Sequence, residues 1–300
     1  MILTKRINKD DNFSNLKELL KVYFNISDRL LLKLKKNNKI LVNGKIANIN
    51  SSLLPDDLVE VLLDFEEDNS NIIPVKMDLN ILYEDDALLI INKPAGIPVH
   101  PSMEHFTDSL SNGVRYYFDS INLKKKIRPV NRLDRNTSGI VIFAKNEYIQ
   151  ECLVRQMKSG LFKKEYIAIC EGKFEREEGT INAPIGRKEN SIIERCVNEN
   201  GDTAITEYKV LKYDETNNYS IVKCNLKTGR THQIRVHLSY IGHPILGDTL
   251  YGNPSNLISR QALHSYIVKF IHPISREEVT FIAELPSDMQ FSAKGDGLVL

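Results

Sequence analysis

From about Ile73 onward, strand-length apolar segments come in adjacent pairs rather than singly between helices. No other feature of the sequence limits the fold as much. Parallel neighbours need a long crossover between strands, commonly a helix, whereas antiparallel neighbours need only a turn. Residues 87–92 read as a buried strand ended by Lys-Pro-Ala-Gly, and residues 140–144 read as another. Residues 165–170 and 219–226 have the same strand texture. Helical spacing appears at Ile149, Leu153 and Met157 within residues 147–159, with Gly160 as the stop. A further helix is expected to be capped by Thr231, with Ile234, Leu238 and Ile241 on one face and Gly242 at its end. The expected class is α+β, with a mixed, mostly antiparallel sheet flanked by helices.

The first sixty residues differ in texture and charge. The net charge of +1 hides an asymmetry: residues 1–48 carry eleven Lys or Arg against four Asp or Glu, and residues 49–76 carry seven acids against one base. Leu16, Leu19, Leu20, Tyr23 and Phe24 mark an amphipathic helix with Ser14 or Asn15 as its cap. A second helix over 28–36, capped by Ser27, sets Leu30, Leu31 and Leu34 against Lys33, Lys35 and Lys36. Asn43-Gly44 signals a hairpin, and residues 59–63 supply a closing strand. The sequence thus suggests a small basic unit over 1–63, a linker over 64–73, and a larger unit over 74–300 whose strands do not need the first. By itself the lysine face is either a solvated surface or a docking face for an anion.

Several chemistries are poorly supported. The four cysteines are widely spaced, with no Cys-x-x-Cys and no signal peptide, which suits reduced thiols in a cytoplasmic protein. No apolar stretch approaches the length of a membrane span. His232 and His237 stand five apart, about 140° from one another on a helix, so they suit no common metal. Ser138-Gly139 lacks the nucleophile elbow, and no glycine-rich phosphate loop occurs, so neither a metal nor a nucleotide cofactor is expected.

What remains is RPVNRLDRNTSGIVIFAK, residues 128–145, where Arg128, Arg132, Asp134 and Arg135 crowd together ahead of a buried strand. Two readings stand. The charges form an ion-pair network that holds a loop. Alternatively, a guanidinium keeps Asp134 ionised as a nucleophile or base while the other arginines take phosphates.

RLDRNTSG resembles the active-site motif of the RluA-type RNA pseudouridine synthases, usually His-Arg-Leu-Asp followed by Thr-Ser-Gly. NKPAGIPVHPS, KKEYIAICEG, LKTGRTHQIRVHLSYIGHPILGDTLYG and LHSYIVKFIHPISREEVTFIAELPSDM resemble further blocks in the family's order, over about residues 74–290. Residues 12–63 resemble the S-four-type RNA-binding module, although its usual Ser-Arg pair appears as Ser27-Asp28-Arg29. The resemblance implies the pseudouridine synthase fold behind a small α+β module. It implies Asp134 as the catalytic aspartate, Tyr166 packed on a flipped uracil, and Arg235 paired with Asp134. Arg132 would enter the helical stack, and Arg135, Arg230, His232, Lys33, Lys35 and Lys36 would meet RNA. Asn131 stands where the family carries His, and Asn136 where an acid is common.

The implied reaction turns uridine into pseudouridine without gain or loss of atoms, so it requires no cofactor. The expected partner is RNA, ribosomal first and transfer RNA as the alternative, acted on by a monomer. Two rivals remain: an inactive RNA-binding or chaperone relative, and an N-glycosidase releasing uracil.

Overall fold

The computed structural model describes residues 1–293, so residues 294–300 of the expected larger unit lie outside the described residues. The N-terminal unit contains β1 (Ile2–Arg6), α1 (Leu16–Val22), α2 (Asp28–Lys36), β2 (Ile40–Val42), β3 (Lys45–Ile46) and β4 (Leu58–Leu62). Its strands form a four-stranded sheet in the order β1-β4-β2-β3. Asn15 caps α1 by accepting from Glu18 N, and Ser27 caps α2 by accepting from Leu30 N. Asn43 and Gly44, both at positive φ, turn the β2–β3 hairpin. β1 was not expected from the sequence; it pairs antiparallel with β4, with Leu3 opposite Val61.

The larger unit begins with β5 (Ile81–Glu84), β6 (Leu88–Lys93), α3 (Leu110–Ser120), β7 (Ser138–Ala144), α4 (Glu147–Ser159) and β8 (Lys163–Glu171). There follow β9 (Glu178–Asn182), β10 (Ile185–Arg187), β11 (Arg195–Val197), β12 (Ile205–Asp214), β13 (Tyr219–Leu226), α5 (Gln233–Tyr240), β14 (Leu263–Ile271) and β15 (Glu278–Ile282). A 3-10 turn over Ser287–Ala293 closes the described chain. The main sheet runs β5-β6-β7-β14-β8-β13-β12-β9, with β15 also on β14. Every pairing is antiparallel except β7–β14. The sheet is therefore mixed and mostly antiparallel, as the paired strand segments indicated. At its parallel seam Gly139 has φ +110°, and a Cβ there would lie 2.2 Å from the Ser265 carbonyl oxygen, so only glycine fits.

Residues 64–73 do not behave as a free linker. Glu67 N–H donates to Lys124 O at 3.0 Å, Ile127 N–H donates to Asn69 Oδ1 at 2.9 Å, and Ile72 is buried. One apolar cluster runs from Leu30, Leu34 and Leu63 into Tyr148, Ile149 and Leu153 of α4. Around it, Ser27 Oγ donates to Glu151 at 2.7 Å, and Lys33 Nζ reaches Glu67 at 3.1 Å and Glu147 at 3.3 Å. Lys33, expected on an RNA-facing surface, thus turns into the junction and lies over the Phe65 ring at 4.3 Å. Lys35 and Lys36 remain exposed.

Candidate active site

Asp134 lies in a loop held on several sides. Before it, Asn131 donates to Ile140 O and accepts from Ile142 N, both at 2.9 Å, which fastens the loop to β7. After it, Thr137 N–H closes a turn onto Asp134 O at 3.0 Å. The fully buried Lys93 gives its ammonium protons to the carbonyls of Pro94, Ile97 and Arg135 at 2.8, 2.9 and 3.0 Å. Burial brings Lys93 down to about 7, against the upward pull of Asp134. Arg260 Nη1 donates to Asn136 O at 3.1 Å, while its Nε and Nη2 hold the two Asp288 oxygens at 2.7 Å each.

The second wall is the turn into α5. The helix starts later than expected, because His232 takes a left-handed φ of 57° and Thr231 is not its cap. The Gln233 side chain closes the turn, accepting from Thr228 Oγ1 at 2.8 Å and Arg230 N at 2.9 Å. Its amide donates to Ile205 O and Thr206 Oγ1, both at 3.0 Å, which anchors the turn to β12. Two residues later Arg235, only 7 % exposed, extends its Nη1 to Asp134 Oδ2 at 3.0 Å. The expected pair therefore meets, though through a single hydrogen bond. The two-point contact goes instead to Asp248, 1 % exposed, with Nε–Oδ2 at 2.7 Å and Nη2–Oδ1 at 2.8 Å. Asp248 Oδ1 also accepts from Leu250 N and Tyr251 N. Asp248 and Tyr251 were not singled out from the sequence. Both sit in the quoted block around GDTLYG, where a lone acid and a lone tyrosine gave no separate signal.

His232 Nε2 stands 3.9 Å from Asp134 Oδ2, and its Nδ1 is 2.8 Å from Tyr251 Oη, which accepts from Arg195 N–H. Burial holds His232 below the ordinary histidine range; Asp134 opposes this, and Arg235 and Arg195 reinforce it. The ring is thus neutral near pH 7. Tyr166, on β8, is buried beneath the same cleft; burial pushes its phenol up to about 12, with Asp134 adding to the effect.

These groups line a cleft of about 1450 Å³ that holds Arg132, Asp134, Tyr166, Arg230, His232 and Arg235. The three arginines close to Asp134 in sequence have separate employments. Arg128 leaves the site for Glu67, at 2.6 and 2.7 Å. Arg135 was expected beside the substrate, but it is not among the cleft-lining residues and its Nε donates to Gly96 O at 2.9 Å. Arg132 is exposed in the cleft with no ion pair among the described residues. Arg230 lines the cleft while bonded to Asp202 and Thr203 O, both at 3.1 Å. Lys33, Lys35 and Lys36 do not line it. Among the described residues no cluster of His, Cys, Asp and Glu could hold a metal, the cysteines are unpaired, and no helix is long and apolar enough to cross a membrane.

Comparison with known proteins gives a consistent answer. A family model described as RNA pseudouridylate synthase matches residues 87–240. An uncharacterized RNA pseudouridine synthase of Bacillus subtilis, YjbO, is 40 % identical over 90 % of this chain and 95 % of its own length. The ribosomal large subunit pseudouridine synthase D of Neisseria meningitidis serogroup B is 36 % identical over 85 % of this chain and 71 % of its own. Among solved structures, human RNA pseudouridylate synthase domain containing 1 superposes with a TM-score of 0.58 at 28 % identity, covering 69 % of this chain and 83 % of that one.

Proposed function

Because the chain belongs to the RNA pseudouridine synthase family, we propose that it isomerises specific uridines of large-subunit ribosomal RNA, with Asp134 as the reacting carboxylate. The observation that carries this reading is the division of labour between the two Asp134 oxygens. Oδ2 is held by Arg235, whereas Oδ1 has no protein donor among the described residues and opens on the cleft. Arg235 stays charged at every working pH and keeps the carboxylate anionic. Asp248 in turn fixes the guanidinium, so the free oxygen has a defined position.

A base in a duplex must leave the stack to reach such a cleft, at a cost of a few kcal/mol. Arg132 is free to occupy the vacated space, and the Tyr166 ring offers a face to the extruded uracil. The reaction breaks the bond between uracil nitrogen and sugar and remakes it to carbon 5. Asp134 Oδ1 serves this by adding to the sugar, by removing a sugar proton to form a glycal, or by adding to the ring. The ribosomal substrate rests on the kinship with the Neisseria enzyme. Residues 1–63, with Lys35 and Lys36 exposed on α2, serve as the S-four-type RNA-binding unit of this reading.

The test is Asp134→Asn, which keeps the side-chain shape and removes the anion. Carbodiimide-stop mapping of ribosomal and transfer RNA should find no pseudouridine made by this variant, with RNA affinity retained. Turnover above wild-type contamination would remove Asp134 from the mechanism. Free uracil among the wild-type products would replace isomerisation by glycoside cleavage.

A further inference from the structure

The cleft extends beyond the groups assigned above, to the turn between α4 and β8. Seven lysines and arginines line it, at 132, 158, 163, 164, 227, 230 and 235, against two acids, Asp134 and Glu165. The whole chain carries a net charge of only +1, so positive charge is concentrated there. Three of the seven have carboxylate partners: Lys227 meets Glu207, Arg230 meets Asp202, and Arg235 meets two aspartates. The side chains of Lys158, Lys163 and Lys164 make no ion pair or hydrogen bond among the described residues.

Lys164 is the informative one. Among the other lysines drawn into the fold, Lys5 has Asp11, Lys33 has Glu67, Lys125 has Asp64 and Lys145 has Glu84, while the buried Lys93 has three carbonyls. Lys164 is also half-buried, and burial pulls it below the ordinary lysine range. Its Nζ reaches from β8 toward the turn before α5, and a Cβ on Gly229 would lie 3.4 Å from it. Holding an ammonium there without a counter-charge is unfavourable unless a ligand supplies one. Lys158, at the end of α4, and Lys163, at the start of β8, are exposed on the same side.

We propose that Lys158, Lys163 and Lys164 form a phosphate-binding shelf for the RNA strand flanking the target nucleotide. This rests on the reading of the cleft as an RNA site, and it extends that site from one flipped base to a length of backbone. The shelf positions the strand and takes no part in bond making. It is sequence-blind, because phosphates carry no base identity. Choice of uridine therefore lies elsewhere, in RNA shape and base contacts.

The probe is a short oligouridylate, with affinity measured across a range of salt concentrations. Each neutralised phosphate of a single strand contributes about 0.7 to the slope of log affinity against log salt, so Lys158→Gln/Lys163→Gln/Lys164→Gln should reduce its magnitude by about 2. Lys158→Gln alone changes only an exposed side chain, and it should remove about 0.7. In the catalytic assay the triple variant should raise KM and leave kcat unchanged. The control is Lys76→Gln/Lys173→Gln/Lys209→Gln, three exposed lysines outside the cleft lining, which should keep the wild-type slope. An unchanged slope in the triple variant, or an equal drop in the control, overturns the shelf. Asp134→Asn should keep the full slope whatever its turnover. Failure of the catalytic reading and failure of the shelf are thereby read from different measurements.

Discussion

Neutralising Glu67 should loosen the attachment of the N-terminal unit, and the effect should depend on pH in a defined direction. The carboxylate is 9 % exposed and Arg128 is 11 % exposed, joined by two hydrogen bonds of 2.6 and 2.7 Å, with Lys33 as a third partner at 3.1 Å. Burial raises the Glu67 carboxyl, but Arg128 and then Lys33 more than offset it and bring the group from 4.5 down to about 2. A displacement of that size corresponds to about 3 kcal/mol of folding free energy. The Lys33 side is open to solvent and screened, so we expect about 2 kcal/mol to be realised. Because the folded value is the lower one, the contribution is complete above pH 4.5 and is lost as pH falls from there toward 2. Glu67→Gln should therefore lower stability by about 2 kcal/mol near neutrality, plus the cost of leaving Arg128 without its anion. The gap between wild type and variant should narrow by more than half by about pH 3. Urea unfolding at a series of pH values measures this. A gap that is absent at neutrality, or that stays constant down to acid pH, would refute the reasoning.

Asp248→Asn takes away the anion that fixes Arg235 while preserving its shape. Stability should fall by about 3 kcal/mol, and single-turnover pseudouridine formation should drop sharply with RNA affinity retained. An unaltered unfolding midpoint together with unaltered turnover would mean that Arg235 needs no such support. Gly139→Ala forces a side chain into the Ser265 backbone at positive φ, so the loss should be at least about 2–4 kcal/mol. A thermal scan of the variant with a wild-type melting temperature would contradict it.

The sequence made the regular elements legible wherever local signals agreed. Ser27 and the leucine spacing gave α2 its observed bounds, and Gly160 in a left-handed conformation ends α4 as its position suggested. β1 was missed because ILTKR is a short amphipathic run that becomes a strand only by pairing with β4. The start of α5 was misread for a similar reason. Thr231 has the chemistry of a cap, but the Gln233 side chain and a left-handed His232 set the turn. In the site, the meeting of Asp134 and Arg235 was implied by the family resemblance, and it suits a carboxylate near the core, which needs a permanent cation. Asp248 was not foreseeable. Which of two aspartates takes the two-point face of one guanidinium depends on packing geometry that residue types do not encode. Lys33 is a parallel case, since its direction depends on how residues 64–73 dock and not on α2 itself.

The position of β14 in the sheet has a consequence for the order of events during synthesis. β7 and β8 are separated by a strand that the chain supplies only at residues 263–271. A nascent chain emerges N-terminus first, so β5, β6 and β7 can pair early, as can β8, β13, β12 and β9. These two blocks share no ladder of their own. Asp134 precedes the last strand of one, and Tyr166 lies on the first strand of the other. Contacts of such sequence separation form late and slowly, because a long loop must close before they are rewarded. A chain halted after α5 has emerged but before β14 has therefore presents both halves of the cleft, and no cleft.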